Sequence, residues 1–455
     1  LAKPRIDTYA TATAGDLAQA LARREIGALE LCDTAIATIE ARDGPINAVV
    51  VRDFDRARDQ ARTADVALAR GETRPLLGVP MTVKESHNVA GLPTSWGAVP
   101  NVIAREDAVG IRRLKAAGAV ILGKTNVPPW LGDWQSTNPI YGRTGNPHDP
   151  GRTPGGSSGG AAAALAAGMV PLEYGSDLGG SIRVPAHFCG VYGHKTSYGV
   201  IPGRGHVPPG RETGAPLAMA VVGPLARSAG DLALALDVLA GPDDSEAVAW
   251  QLALPPPRHD RLADHRVLIL DEYPGVPLDS ELQAALDVLA GALEAAGARV
   301  SRDRSGLPDL ARSLTLFGTL LMTQVTRAAP PPGPPVTAHE WMNTLDAQAH
   351  LRRDWARLFE EVDVVLAPPF GTAAFPHLDE PDFAKRRLAV DSQETPYHLQ
   401  GAWSGLASVA NLPATVAPIG RTAGGLPIGV QIIGPYLGDR TTIGFAGLLA
   451  RELGS

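Results

Sequence analysis

The chain has 455 residues, with 41 Lys and Arg against 48 Asp and Glu, two cysteines and 44% hydrophobic residues. A net charge of −7 with scattered basic residues gives no footprint for nucleic acid, and that apolar content excludes a disordered chain. No uncharged apolar run approaches the roughly 18–20 residues a membrane span needs. The opening LAKPRIDTYA has no apolar core of a secretory signal. Cys32 and Cys189 form neither a disulfide framework nor a zinc pattern and read as small buried hydrophobes, so the expected setting is the cytoplasm.

In chain order, Leu29, Cys32, Ile36 and Ile39 recur at helical spacing, and Asp43-Gly44-Pro45 stops that helix. The run Ile46 to Val51 (INAVVV) reads as a buried strand, and 53–70 as a helix polar on one side. Leu77, Val79, Met81 and Val83 alternate, a strand ending at Lys84. Val109, Leu114 and Ala117 mark a helix before the strand AVILG at 119–123. This alternation argues for an α/β sheet flanked by helices.

From Tyr141 to Gly214 the chain is crowded with Gly, Ser, Thr and Pro, and helix is expected only in the Ala-rich stretch 160–168. Loops of that length in a compact domain are usually functional. Ser228 opens a helix through Leu239. Ser280 and Gln283 read as a capping box for a helix with Leu282, Leu286, Leu289 and Leu293 on one face. The prolines at 255–257 and 329–335 read as stiff surface connections. VDVVLAPP (362–369) and LPIGVQIIGP (426–435) read as core strands.

The stretch Pro154-Gly-Gly-Ser-Ser-Gly-Gly160 admits three readings. A phosphate loop would need Gly-Lys-Ser/Thr or GxGxxG, and neither is there. Gly155 to Gly159 satisfies GxSxG formally, but a nucleophile elbow needs a buried strand before it. Residues Asn146 to Pro154 contain turn formers instead. The third reading joins this loop to Gly175-Ser-Asp-Leu-Gly-Gly-Ser-Ile-Arg-Val-Pro-Ala186. Both carry Gly-Gly-Ser, which lets backbone approach a substrate closely. N–H groups around Gly179, Gly180 and Ser181 could form an oxyanion hole beside a serine hydroxyl. None of His148, His187, His194 or His206 sits in a local arrangement that marks a base. Of six lysines, Lys84 and Lys124 stand at strand ends; Lys84 is the preferred base, a solvated strand-end cation being the plain alternative.

With Gly78-Val-Pro-Met-Thr-Val-Lys84, Gly123-Lys-Thr-Asn126, Gly142-Arg-Thr-Gly-Asn-Pro147 and the tail Gly425-Leu-Pro-Ile-Gly-Val-Gln-Ile-Ile-Gly-Pro435, the two loops resemble the amidase signature family of serine hydrolases. The resemblance implies a large mixed, twisted central β-sheet covered by helices on both faces. It implies one domain over 1–455, with about 200–400 as a variable, pocket-shaping segment. It also implies a Ser–cis-Ser–Lys triad: Ser181 as nucleophile, Ser157 as the serine after a cis peptide bond, and Lys84 as base. The backbone of Leu178, Gly179, Gly180 and Ser181 would form the oxyanion hole, Asp177 and Arg183 would hold that loop, and Ser158 would support Lys84 by hydrogen bonding. No metal or cofactor is implied. Departures are Val127-Pro-Pro-Trp130, His148, Leu178 and His194.

A free lysine is neutral only about once in 2,500 at pH 7, so a Lys84 base must lose roughly 3 pKa units, with burial as the expected cause. Ser157 would relay the Ser181 proton to Lys84 and return it to the leaving amine, and water would then hydrolyse acyl-Ser181. Trp96, Trp130 and Trp134 could wall an apolar pocket. The proline-rich stretch Val200 to Pro216 is similar to stand-alone bacterial amidases. The expected substrate is therefore a small-molecule linear amide, aryl or hydrophobic, with carbamates (urethanes) and esters as variants. Two alternatives stand beside it: a glutaminase subunit of an amidotransferase complex, and a non-catalytic binding protein of the same fold.

Overall fold

The computed structural model describes residues 6–326 and 334–454. Eleven strands form one mixed sheet: β1 (Val49–Arg52), β2 (Pro80–Lys84), β3 (Val120–Thr125), β4 (Leu172–Asp177), β5 (Tyr192–Lys195), β6 (Val221–Ala226), β7 (Arg266–Ile269), β8 (Arg299–Ser301), β9 (Val364–Ala367), β10 (Ala414–Arg421) and β11 (Pro427–Ile433). Their spatial order is β1-β3-β2-β4-β6-β5-β10-β11-β9-β7-β8. Pairing is parallel for β3–β2–β4 and β9–β7–β8 and antiparallel from β4 to β9. Every residue of β2, β3, β4, β5, β6, β9 and β11 is buried. Strands covered on both faces need no polar alternation, and β9 and β11 read as largely apolar runs.

The helix Gly159–Ala166 lies against β2, β3, β4 and β6, with every residue from Gly159 to Leu165 buried. Small side chains permit this approach: a Cβ on Gly160 would stand 2.3 Å from the Asn126 amide nitrogen. The helix Ala28–Arg42 buries Cys32, Ile36 and Ile39 as the spacing predicts, while Leu29 is half-buried and Leu31 takes the buried place.

Three expectations need correction. Of the INAVVV run only Val49 to Val51 pairs as strand, in a strand that continues to Arg52, because Asn47 turns the chain at φ 58°. The glycine-rich middle holds more than one helix: it also contains β4, the helix Arg183–Cys189 and β5. The 280–295 helix is capped by Asp279, whose carboxylate accepts from the Glu281 amide, while the Ser280 hydroxyl donates to Asp391. Of the two proline connections, 255–257 is exposed coil, and most of 329–335 lies outside the described residues.

Candidate active site

Strand β2 delivers Lys84 into the protein at its last residue, with no part of it exposed. Its ammonium nitrogen lies 2.7 Å from Ser157 Oγ and 2.9 Å from Ser176 Oγ, with the Ser176 carbonyl at 3.4 Å. Burial drives Lys84 down from its ordinary 10.5 to about 7, against the pull of the Asp177 and Glu173 carboxyls. The Gly156–Ser157 peptide bond is cis. A Cβ on Gly156 would stand 2.4 Å from the Asp133 carbonyl oxygen, so only glycine fits there.

The two glycine-serine loops meet where the Ser158 amide donates to the Ser181 carbonyl at 3.0 Å. The Ser158 hydroxyl donates to the Ser176 carbonyl at 3.3 Å rather than meeting Lys84 directly. Ser176, which sequence reasoning missed, makes the second contact to Lys84.

Leu178, Gly179 and Ser181 are half-buried at the end of β4, whereas Gly180 is buried. Gly180 takes φ 102°, and a Cβ there would stand 2.7 Å from Ser404 Cβ. Asp177 accepts from the Gly180 amide at 2.9 Å and the Ile182 amide at 3.0 Å. The Gly180 N–H is therefore committed to Asp177, which removes it from the expected oxyanion donors and leaves those of Leu178, Gly179 and Ser181. The Gly180 carbonyl accepts from the Val184 amide at 2.8 Å. In a trans peptide the Ser181 N–H then points the opposite way.

Arg183 closes a buried ion pair on Asp177, Nη2 to Oδ1 at 2.9 Å and Nε to Oδ2 at 3.1 Å. Its Nη1 reaches the Ser404 carbonyl and Gln431 Oε1, and Nη2 reaches Ser408 Oγ. Burial works against an ionised Asp177, yet the Arg183 charge and hydrogen bonds hold it at about 2. The Gly179 carbonyl is fixed by Trp134 Nε1 at 2.9 Å and Ser404 Oγ at 3.0 Å. Trp134 and Phe317 both stand beside Gly401, and a Cβ added at Gly179 would meet the Phe317 ring at 3.3 Å. Beyond them Trp134 meets Phe370, Phe383 and Tyr397 ring to ring. Of the other candidate wall tryptophans, Trp96 packs on His206, and Trp130 is 56% exposed.

The rival bases are occupied elsewhere. Lys124 pairs in register with Val83, so strand alternation turns it to the face opposite Lys84. It donates to the Pro93 carbonyl and to Thr94 Oγ1, and burial lowers it to about 8. His148 meets the Cys189 carbonyl, and His187 the Thr372 carbonyl and the Gly429 amide. His194 lies between Thr415 and Asp439, and His206 against Ser86 Oγ. Among the described residues no group of three or more His, Cys, Asp or Glu side chains could hold a metal ion, and no helix is long and apolar enough to cross a membrane.

The profile of the Amidase family matches residues 30–329 and 321–443. A glutamyl-tRNA(Gln) amidotransferase subunit from Roseiflexus sp. (strain RS-1) is 33% identical, over 95% of this chain and 94% of its own length. AtzE, from the 1-carboxybiuret hydrolase of Pseudomonas sp. (strain ADP), is 44% identical, over 50% of each chain. A chain of an inhibitor-bound protein complex, described as vestigial and as revealing the origins of an s-triazine catabolic enzyme, superposes with a TM-score of 0.83 at 32% identity, covering 97% of this chain and 99% of that one.

Proposed function

The chain belongs to the amidase signature family of amide hydrolases, and from that premise we propose that it cleaves hydrophobic or aryl amides through an acyl-Ser181 intermediate. The observation carrying this reading is the fully buried Lys84, 2.7 Å from Ser157 Oγ, in a loop tied to that of Ser181. At a pKa of about 7, half of Lys84 is the free amine at neutral pH and can accept a proton. Ser181 attacks the carbonyl, its proton passes to Ser157, and the Ser157 proton passes to Lys84. The N–H groups of Leu178, Gly179 and Ser181 stabilise the oxyanion, each worth about 3–4 kcal/mol. As the C–N bond breaks, Lys84 returns the proton through Ser157 to the leaving amine, and water releases the acid.

The hydrophobic preference rests on Trp134, Phe317 and Leu178, which surround the Gly179 peptide with apolar surface. Phe317 belongs to the 200–400 segment, consistent with that segment shaping the pocket. Carbamates and esters reach the same acyl-serine stage and are variants of the same reading. The test is a hydrolysis panel of anilides, aliphatic amides, carbamates and esters, with Ser181→Ala as blank. Cleavage of none of them, or equal cleavage by the blank, would refute it.

A second reading, as the glutaminase component of an amidotransferase, is favoured by one observation: the relative matching 95% of the chain belongs to such a complex by name. It predicts copurifying partners and activity on glutamine that needs them.

A further inference from the structure

We propose that Glu173 is a positioning residue for Lys84, a buried carboxyl with no cation of its own that raises the proton affinity of the lysine. The inference rests on the reading of Lys84 as the base. Glu173 pairs in register with Thr82 on the neighbouring strand, and Thr82 and Lys84 share a face of β2. Glu173 is 1% exposed and Lys84 fully buried, so little solvent separates the two groups.

The charged groups around Lys84 can be counted from each side. On β4, Asp177 also pulls on the Lys84 proton, but it has its own cation, Arg183, held through two hydrogen bonds. On β3, Lys124 turns to the opposite face. After β2, Glu85 accepts from the Ser95 and Trp96 amides. His87 stacks on Tyr174, His206 packs behind it, and burial holds both imidazoles below their ordinary value, toward the neutral form. Glu173 remains. Among the described residues no Lys, Arg or His forms an ion pair with it; its carboxyl accepts from Thr82 Oγ1 at 2.5 Å and the Tyr174 amide at 3.1 Å. The Thr125 hydroxyl, buried without a hydrogen-bond partner, stands beside the same carboxyl.

A lysine stripped of water on all sides loses basicity, and a base far below the operating pH accepts a proton poorly. A nearby carboxyl free of any other cation restores part of that basicity. Burial raises Glu173 and lowers Lys84, and the Lys84 charge draws the carboxyl back toward its ionised form, the form that favours the ammonium. In turnover Glu173 makes and breaks no bond: the proton travels from Ser181 through Ser157 to Lys84 and back, and the carboxyl stabilises the ammonium in between. A merely structural Glu173 would cap Thr82 and Tyr174 without touching this equilibrium.

The experiment is the pH dependence of Ser181 labelling by a fluorophosphonate, which needs no knowledge of the substrate. Glu173→Gln should move the midpoint of the acid limb to lower pH by on the order of one unit. Thr82→Val, which removes a donor to the carboxylate, should move it the same way by less, and it decides the matter if Glu173→Gln fails to fold by thermal unfolding. An unmoved or raised midpoint overturns the proposal. Lys84→Ala in the same assay separates the two ideas. Wild-type labelling by Lys84→Ala sinks the base assignment, whereas lost labelling with an unmoved Glu173→Gln midpoint sinks the Glu173 inference alone.

Discussion

Replacing Lys84 by Met should abolish activity and stabilise the protein, with a pH dependence that identifies the cause. The ordinary lysine value is 10.5 and the buried value about 7. Below pH 7 the lysine is protonated both folded and unfolded, and the full cost of burying an ammonium is present. As pH rises from 7 toward 10.5 the unfolded chain loses its extra proton and the cost fades. That linkage gives a penalty of about 4 kcal/mol at pH 7 and about 2 kcal/mol at pH 9. Methionine escapes it but forfeits the hydrogen bonds to Ser157 and Ser176, each worth about 1 kcal/mol. Lys84→Met should thus unfold in urea with about 2 kcal/mol of added stability at pH 7, and the advantage should disappear near pH 9. An advantage independent of pH, or one that grew with pH, would refute the claim that Lys84 is held with a depressed proton affinity.

Ser157→Ala should slow fluorophosphonate labelling about a thousandfold. Combining it with Lys84→Ala should cost little more, because a relay and its terminus act as one unit; multiplied losses in single-turnover rates would count against the relay. Asp177→Asn leaves Arg183 buried without its anion and should cost about 3–5 kcal/mol in urea unfolding. Trp134→Phe keeps an aromatic ring, though a smaller one, and removes the donor to the Gly179 carbonyl. It should lower kcat about tenfold with a smaller change in KM, since Gly179 and its neighbours meet the developing oxyanion.

How far the sequence reaches depends on the kind of signal. Lys84 was legible because it ends an apolar run whose period of two marks the strand delivering it. The serine loops were legible because Gly-Gly-Ser tolerates backbone geometry that other residues do not. Strand β4 was hidden: Leu-Glu-Tyr-Gly-Ser-Asp has no apolar run, and its place inside the sheet, between β2 and β6, overrides composition. With that strand unseen, Ser176 and Glu173 could not be placed beside Lys84. The engagement of the Gly180 N–H by Asp177 was likewise invisible, because a backbone donor leaves no trace in the identity of its residue. The cap at Asp279 shows the same limit on a smaller scale, since Asp279 and Ser280 are both good capping residues and the fold engages Ser280 with Asp391.

The central claim is tested most directly by titrating the lysine side chains by NMR in protein carrying 13C-labelled lysine, with Lys84→Met to assign the signal. Only six lysines are present in the chain, so the spectrum is sparse. A Lys84 ε-methylene that titrates with a midpoint near 7 is the predicted result. A midpoint near the ordinary 10.5 would contradict the account, because an ammonium that keeps its proton at neutral pH cannot take one from Ser157.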